Sequence, residues 1–272
     1  MSATTNLRNR ASLLGVVMIA ALSTTFAVAP AQAFVGAPPE HAANVKISYV
    51  ALGDSYAAGF GGGDEFGACL ASPNGYPALL ADDPGLVHAE LRGCTGATTS
   101  DVLTQLSGLD HRTKSVTLTV GANDLGLAAL TETCLTGTPE QCLAAVQYAQ
   151  TVLLPQLSVD LAATLAAIRE AAPNATVYVT GYPLLFEESL DPRIAAVNAG
   201  ILALNGVIQS AVAAAGEGFV YVDVTEAFAG HGIGSTDAWI HGLFELAAFH
   251  PTAAGYAAYA EAIREAGFSP AG

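Results

Sequence analysis

Apolar residues fall into two alternating patterns along the chain. Strand-like runs occupy residues 45–52 (Val45-Lys46-Ile47-Ser48-Tyr49-Val50-Ala51-Leu52), 86–91, 115–120, 176–180 and 218–222, the second being the weakest. Between them lie helical stretches. Residues 142–172 are Ala/Leu-rich, interrupted by Pro155 and stopped by Pro173-Asn174. Residues 194–215 repeat apolar positions at helical spacing, with Asn198, Asn205 and Gln209 to one side, and end at Gly216. Residues 252–266 form the last stretch and end at Gly267. Alternating β and α units with Val-rich strands predict an α/β fold, a three-layer α/β/α sandwich around a mainly parallel five-stranded sheet. Right-handed crossovers then bring every strand C-terminus to one edge, where open α/β sheets bind ligands. Gly53-Asp54-Ser55 follows the first strand, residues 93–96 the second, and Gly121-Ala122-Asn123-Asp124 the third.

The first 33 residues break this pattern. Arg8 and Arg10 precede an apolar run over residues 11–29, and Ala31-Gln32-Ala33 is a small-x-small cleavage signal. This reads as a cleaved signal peptide (residues 1–33), then a flexible arm (34–44) and one domain (45–272). Pro30, the cleavage signal and the lack of a basic flank argue against a membrane anchor. No later segment reads as apolar enough for long enough to span a bilayer, so a secreted, extracellular protein is expected. Removing the two leader arginines moves the formal charge from −15 to −17. Nothing so acidic would neutralise phosphates, which excludes a nucleic-acid partner. Cys69, Cys94, Cys134 and Cys142 are an even set, for which disulfides are the default in an exported chain. Three pairings exist. Cys134 and Cys142 flank a Gly/Pro turn and suit a local staple, which leaves Cys69 with Cys94. Zinc is the weaker alternative, since no CxxC pair or Cys/His cluster is present.

Four blocks along this frame carry a resemblance. They are Val50-Ala51-Leu52-Gly53-Asp54-Ser55-Tyr56-Ala57-Ala58-Gly59, Gly93-Cys94-Thr95-Gly96-Ala97-Thr98-Thr99, Val120-Gly121-Ala122-Asn123-Asp124 and Phe249-His250-Pro251-Thr252-Ala253-Ala254-Gly255-Tyr256. In that order the chain resembles an SGNH/GDSL hydrolase, and within that superfamily the secreted actinobacterial lipases and esterases. The resemblance implies a flavodoxin-like sheet and a serine carboxylic-ester hydrolase, with an acyl-enzyme intermediate and no cofactor or metal. Ser55 would be the nucleophile at the turn after the first strand. Asp54 would order that turn by accepting backbone N–H groups. Gly96, Asn123 and the Ser55 amide would form an oxyanion hole.

His250, held before Pro251 and a helix capped by Thr252, would be the general base and acid. His41, His88, His111, His231 and His241 sit in an arm, a strand or loops and suit packing better. Many relatives place an Asp three residues before the catalytic histidine, and this chain has Ala247 there. A Ser-His dyad with the Ala248 backbone carbonyl on the ring is therefore expected, although Asp223, Asp237 or Glu245 could complete a triad. Phe60, Leu127, Leu130, Leu184, Leu185 and Phe186 are candidates for an acyl groove or for core. The expected partner is a small-molecule or lipid ester met by a monomer, with at most transient contact with a lipid surface. A carbohydrate acetylesterase and a non-catalytic binding module on a degenerate scaffold are the alternatives.

Overall fold

The computed structural model describes residues 48–189 and 191–269. The leader, the arm and the first three residues of the run beginning at Val45 lie outside them.

Five strands, β1 (Tyr49–Gly53), β2 (Ala89–Leu91), β3 (Ser115–Thr119), β4 (Thr176–Thr180) and β5 (Phe219–Val222), form one sheet in the order β2-β1-β3-β4-β5. Every pairing is parallel, with Gly53 beside Thr119 at the shared end of β1 and β3. All residues of β1 and β3 are buried, as central strands covered on both faces must be. The threonines they bury are satisfied by tyrosine hydroxyls. Tyr49 Oη pairs with Thr117 Oγ1 at 2.9 Å and Tyr76 Oη with Thr119 Oγ1 at 2.8 Å.

The helices are α1 (Ser55–Ala58), α2 (Tyr76–Ala81), α3 (Thr99–Gln105), α4 (Leu127–Thr136), α5 (Pro139–Tyr148), α6 (Leu154–Ala171), α7 (Pro192–Ala215) and α8 (Ala253–Glu265). The chain leaves β1 towards one sheet edge and, from β3 onward, runs to the other. With right-handed crossovers this reversal puts α2 on one face and α3, α6 and α7 on the other. The packing agrees, with α2 against α8, and α6 against both α3 and α7. The reversal leaves a crevice above the C-terminal ends of β1 and β3, the place where such sheets bind ligands.

Several details differ from the sequence reading. The expected helix over 142–172 is two helices. Thr138 and Gln141 form a capping box that starts α5 at Pro139, and a π-helical turn (Ala149–Leu153) then carries the chain into α6. Pro155 stands at the second position of α6, right after that π-turn, so the irregularity falls just ahead of the proline and the chain stays helical through it. Pro139–Ala171 and Pro192–Ala215 are long and apolar enough, by length and composition, to cross a membrane, which corrects the expectation that no later segment is. Here both are layers of the sandwich, burying Leu157, Leu161 and Leu165 on one and Ile201, Leu204 and Ile208 on the other. The cysteines form two disulfides, Cys69–Cys94 and Cys134–Cys142.

Candidate active site

Ser55 opens α1 immediately after β1, and a tight junction presents it. Gly53 has φ +126°, and a Cβ there would lie 2.0 Å from the Thr119 carbonyl oxygen, so only glycine lets β1 turn against β3. The side chain of Gln105 holds the Gly53 backbone on both sides, accepting from its N–H at 2.8 Å and donating to its C=O at 2.9 Å. Asp54 caps α1, its carboxylate accepting from the Tyr56 N–H at 2.9 Å and from the Tyr182 hydroxyl. Burial pushes the Asp54 carboxyl up to about 7, against the lowering pull of the Tyr182 and Tyr56 bonds. Tyr182 is held in turn by Asn205 of α7, which accepts from its N–H and donates to its C=O, both at 2.8 Å.

His250 reaches Ser55 from the other end of the chain. Its Nε2 lies 2.7 Å from Ser55 Oγ, and its Nδ1 lies 2.9 Å from the Ala248 carbonyl oxygen. That carbonyl can only accept, so Nδ1 carries the proton and Nε2 presents its lone pair to the serine hydroxyl. The ring sits between Tyr56 and Phe60, at centroid distances of 5.4 and 4.8 Å. Burial lowers the pKa of His250 below the ordinary histidine value, with the Ala248 bond pulling the other way. The backbone before it is unusual. Phe249 has φ +69°, and its carbonyl accepts the Tyr56 hydroxyl at 2.7 Å. Thr252 then caps α8, accepting from the Gly255 N–H at 3.3 Å.

The three acids considered as partners for His250 are engaged elsewhere. Asp223 accepts from Thr225, Asp237 faces His231, and Glu245 Oε2 lies 2.7 Å from His241 Nδ1. His88 faces Glu90, the His111 carbonyl accepts from Asn174, and the His231 ring stacks on Trp239. His41 lies outside the described residues.

Asn123 lines the pocket that holds Ser55 and His250, and Gly96 lies on a neighbouring loop, where it lines a separate cleft with Cys69, Cys94 and Ala97. The Cys94 N–H donates to the Gly53 carbonyl at 3.0 Å, and the Cys69–Cys94 bridge fixes the loop that carries Gly96. Gly96 has φ +86° and nothing within 4 Å of where a Cβ would stand. Asn123 Nδ2 donates to the Ala97 carbonyl at 2.9 Å, which leaves its second amide hydrogen for another acceptor. No hydrogen bond within the described chain engages the backbone N–H of Ser55 or of Gly96. Asp124 joins the two loops, accepting from the Thr99 hydroxyl at 2.6 Å.

A pocket opens beside Ser55 and His250, walled by Leu127, Ala128, Leu185, Ile201 and Phe249. Of the apolar candidates read from the sequence, Leu127 and Leu185 line it. Phe60 lies behind the His250 ring, Leu184 and Phe186 line a separate cleft, and Leu130 packs on the core. Tyr182 and Asn205 were missed as site supports. Asn205 was legible as a polar position on an apolar helix, but nothing in the sequence tied it to Tyr182.

The GDSL-like lipase/acylhydrolase family model matches residues 51–258. The chain belongs to that family. Among related members, Lipase 1 of Streptomyces coelicolor is 34% identical over 247 residues, covering 85% of this chain and 91% of that protein. The extracellular lipase of Streptomyces rimosus, solved by crystallography, is 34% identical with a TM-score of 0.76, covering 81% of this chain and 99% of the other. Phospholipase A1 from Streptomyces albidoflavus is 35% identical with a TM-score of 0.76 and the same coverage. This GDSL-family member is a carboxylic ester hydrolase.

Proposed function

We propose that the chain is a secreted lipase or esterase that works through a Ser55–His250 dyad on esters with an apolar acyl group. Ser55 Oγ attacks the ester carbonyl as its proton passes to His250 Nε2. The tetrahedral oxyanion is met by the Ser55 and Gly96 amides and by Asn123 Nδ2. His250 then returns the proton to the departing alcohol, and a water activated by the same ring releases the acid. One observation carries the reading: the 2.7 Å contact between His250 Nε2 and Ser55 Oγ, with Nδ1 fixed on the Ala248 carbonyl.

The apolar pocket wall supports an acyl group longer than acetyl, and so favours a lipase or acyl esterase over an acetylesterase. Phe244 and Leu246 are fully exposed on the loop leading to His250, and they support transient contact with a lipid surface. Two disulfides support export, together with the signal-like residues 1–33. The intact Ser-His contact weighs against a non-catalytic binding module.

The test is turnover of p-nitrophenyl esters of graded acyl length and of a phospholipid, by wild type and by Ser55→Ala. Substitution should remove turnover while the folded circular-dichroism spectrum stays. An organophosphate should label Ser55, as read by peptide mass. Turnover that survives Ser55→Ala, or a label on another serine, refutes the assignment.

A further inference from the structure

Thr131, on α4, has no part in the ester chemistry, yet it lines the pocket with Leu127, Ala128, Leu185 and Ile201. It is fully buried, and among the described residues its Oγ1 is the one buried side-chain nitrogen or oxygen without a hydrogen-bond partner. Buried hydroxyls are normally paired, and one left unpaired destabilises the fold. A helical threonine has a ready partner in the carbonyl four residues back. This chain uses that partner repeatedly. Thr133 donates to Ala129 and Thr136 to Glu132, both at 2.8 Å, and Thr164 donates to Asp160 at 2.9 Å. Thr131 makes no such bond to Leu127.

Its position fits contact with a ligand. Helix α4 starts four residues after Asn123, and Leu127, Ala128 and Thr131 share one face of it by their spacing. Thr131 therefore stands one turn, ~6 Å, beyond Leu127 on that face. An acyl chain running from Ser55 along this wall meets apolar carbon first and a hydroxyl afterwards.

We propose that Thr131 is a specificity residue whose hydroxyl hydrogen-bonds an oxygen carried on the acyl chain several bonds from the scissile carbonyl. The favoured substrates are then esters of oxygen-substituted acids, bearing an ether, a hydroxyl or a second ester, over plain alkanoates. This rests on the ester-hydrolase reading above, and on the pocket being the acyl side of the site.

The test is an oxygen scan. p-Nitrophenyl octanoate is compared with isosteres in which one chain methylene at a time is replaced by an ether oxygen. In the wild type, one position should exceed its neighbours in kcat/KM by about 5- to 10-fold, the worth of one hydrogen bond. Thr131→Val, which keeps the shape and removes the hydroxyl, should flatten that peak. Thr131→Ser should keep it. A purely structural threonine would move the melting temperature in the valine variant, with no peak in the wild-type profile to lose. A flat wild-type profile, or a peak that survives Thr131→Val, overturns the proposal. If the wild type turns over none of these esters, the parent included, the ester-hydrolase reading itself fails and the proposal falls with it.

Discussion

Removing one oxygen atom from Tyr56 tests how the chain aims His250. The hydroxyl donates to the Phe249 carbonyl at 2.7 Å, and Phe249 carries φ +69°, a left-handed conformation that a bulky residue rarely adopts. Holding a non-glycine residue there costs about 1–3 kcal/mol, so neighbouring bonds must sustain it. Two lie on the backbone, Phe249 N–H to the His241 carbonyl at 3.0 Å and His241 N–H to the His250 carbonyl at 2.9 Å. The Tyr56 bond is the third. In Tyr56→Phe the ring stays, keeping its edge contact with Tyr182 at 5.1 Å and its place beside His250 at 5.4 Å. What is lost is one partly buried hydrogen bond, worth about 1 kcal/mol.

For a domain of this size that loss lowers Tm by about 2–4 °C. If the bond also holds the imidazole on Ser55, the same energy appears in the barrier, and kcat falls about 5- to 10-fold while KM stays unchanged. The assay is steady-state hydrolysis of a soluble p-nitrophenyl ester beside a thermal melt. A lowered Tm with kcat unchanged would show that Tyr56 only packs. A raised KM with unchanged kcat would place its role in substrate binding. Either result refutes the aiming argument.

The remaining predictions follow from other parts of the site. As the proposed base, His250 would work only when neutral, and burial lowers its pKa, so activity should persist as pH falls until it passes through that lowered value. The acid limb of kcat/KM should therefore have its midpoint below 6.5, and a midpoint above 7 in a pH-rate profile contradicts the burial argument. Replacing both Cys69 and Cys94 with alanine opens a link spanning 25 residues and should cost about 3 kcal/mol in urea unfolding. The same change should lower kcat, because the bridge fixes the loop bearing Gly96. Phe244→Ser with Leu246→Ser should weaken hydrolysis of dispersed phospholipid several-fold while sparing a water-soluble short-chain ester. Equal loss on both substrates removes the lipid-contact role.

The sheet was readable because its central strands carry Val, Thr and Tyr, which favour strands; β3 and β4 fall within residues predicted as strand, and β1 passes its predicted end by one residue, Gly53. Only three residues of β2 pair, at the sheet edge, and its sequence signal was correspondingly the weakest. Helices α1, α2 and α3 escaped because 4, 6 and 7 residues are too few to display a helical period. The π-helical turn before Pro155 was illegible for a different reason. A proline in a helical pattern reads locally as a break, whereas here the chain stays helical through it with a π-turn just ahead. Within the site, Ser55 and His250 could be chosen because each stands at a strand or helix end and in one of the four blocks that carry the family resemblance. The bond from Tyr182 to Asp54 could not, since Tyr182 is 128 positions away. Thr131 was equally hidden, because an unpaired hydroxyl shows itself only when its surroundings are known.

The pairing of His250 with a carbonyl separates two tasks that a carboxylate combines. Orientation is fully supplied: Nδ1 has an acceptor, Nε2 faces the serine, and Tyr56 and Phe60 flank the ring. Charge stabilisation is not. The nearby loop acid, Glu245, is spent on His241, whose Nε2 in turn lies 2.8 Å from the Gly61 carbonyl oxygen. In the proposed dyad, the imidazolium formed as Ser55 attacks would meet a dipole where a triad offers a full negative charge, and burial weighs against it further. The lowered pKa of His250 expresses the same deficit in the resting state. A weaker base leaves more of the transition-state charge to be met on the substrate oxygen. The amides of Ser55 and Gly96 and the Asn123 side chain should thus carry a larger share of catalysis here than in a triad. That fits how firmly the surrounding loops are tied, by a disulfide, by Gln105 on Gly53 and by Asp124 on Thr99.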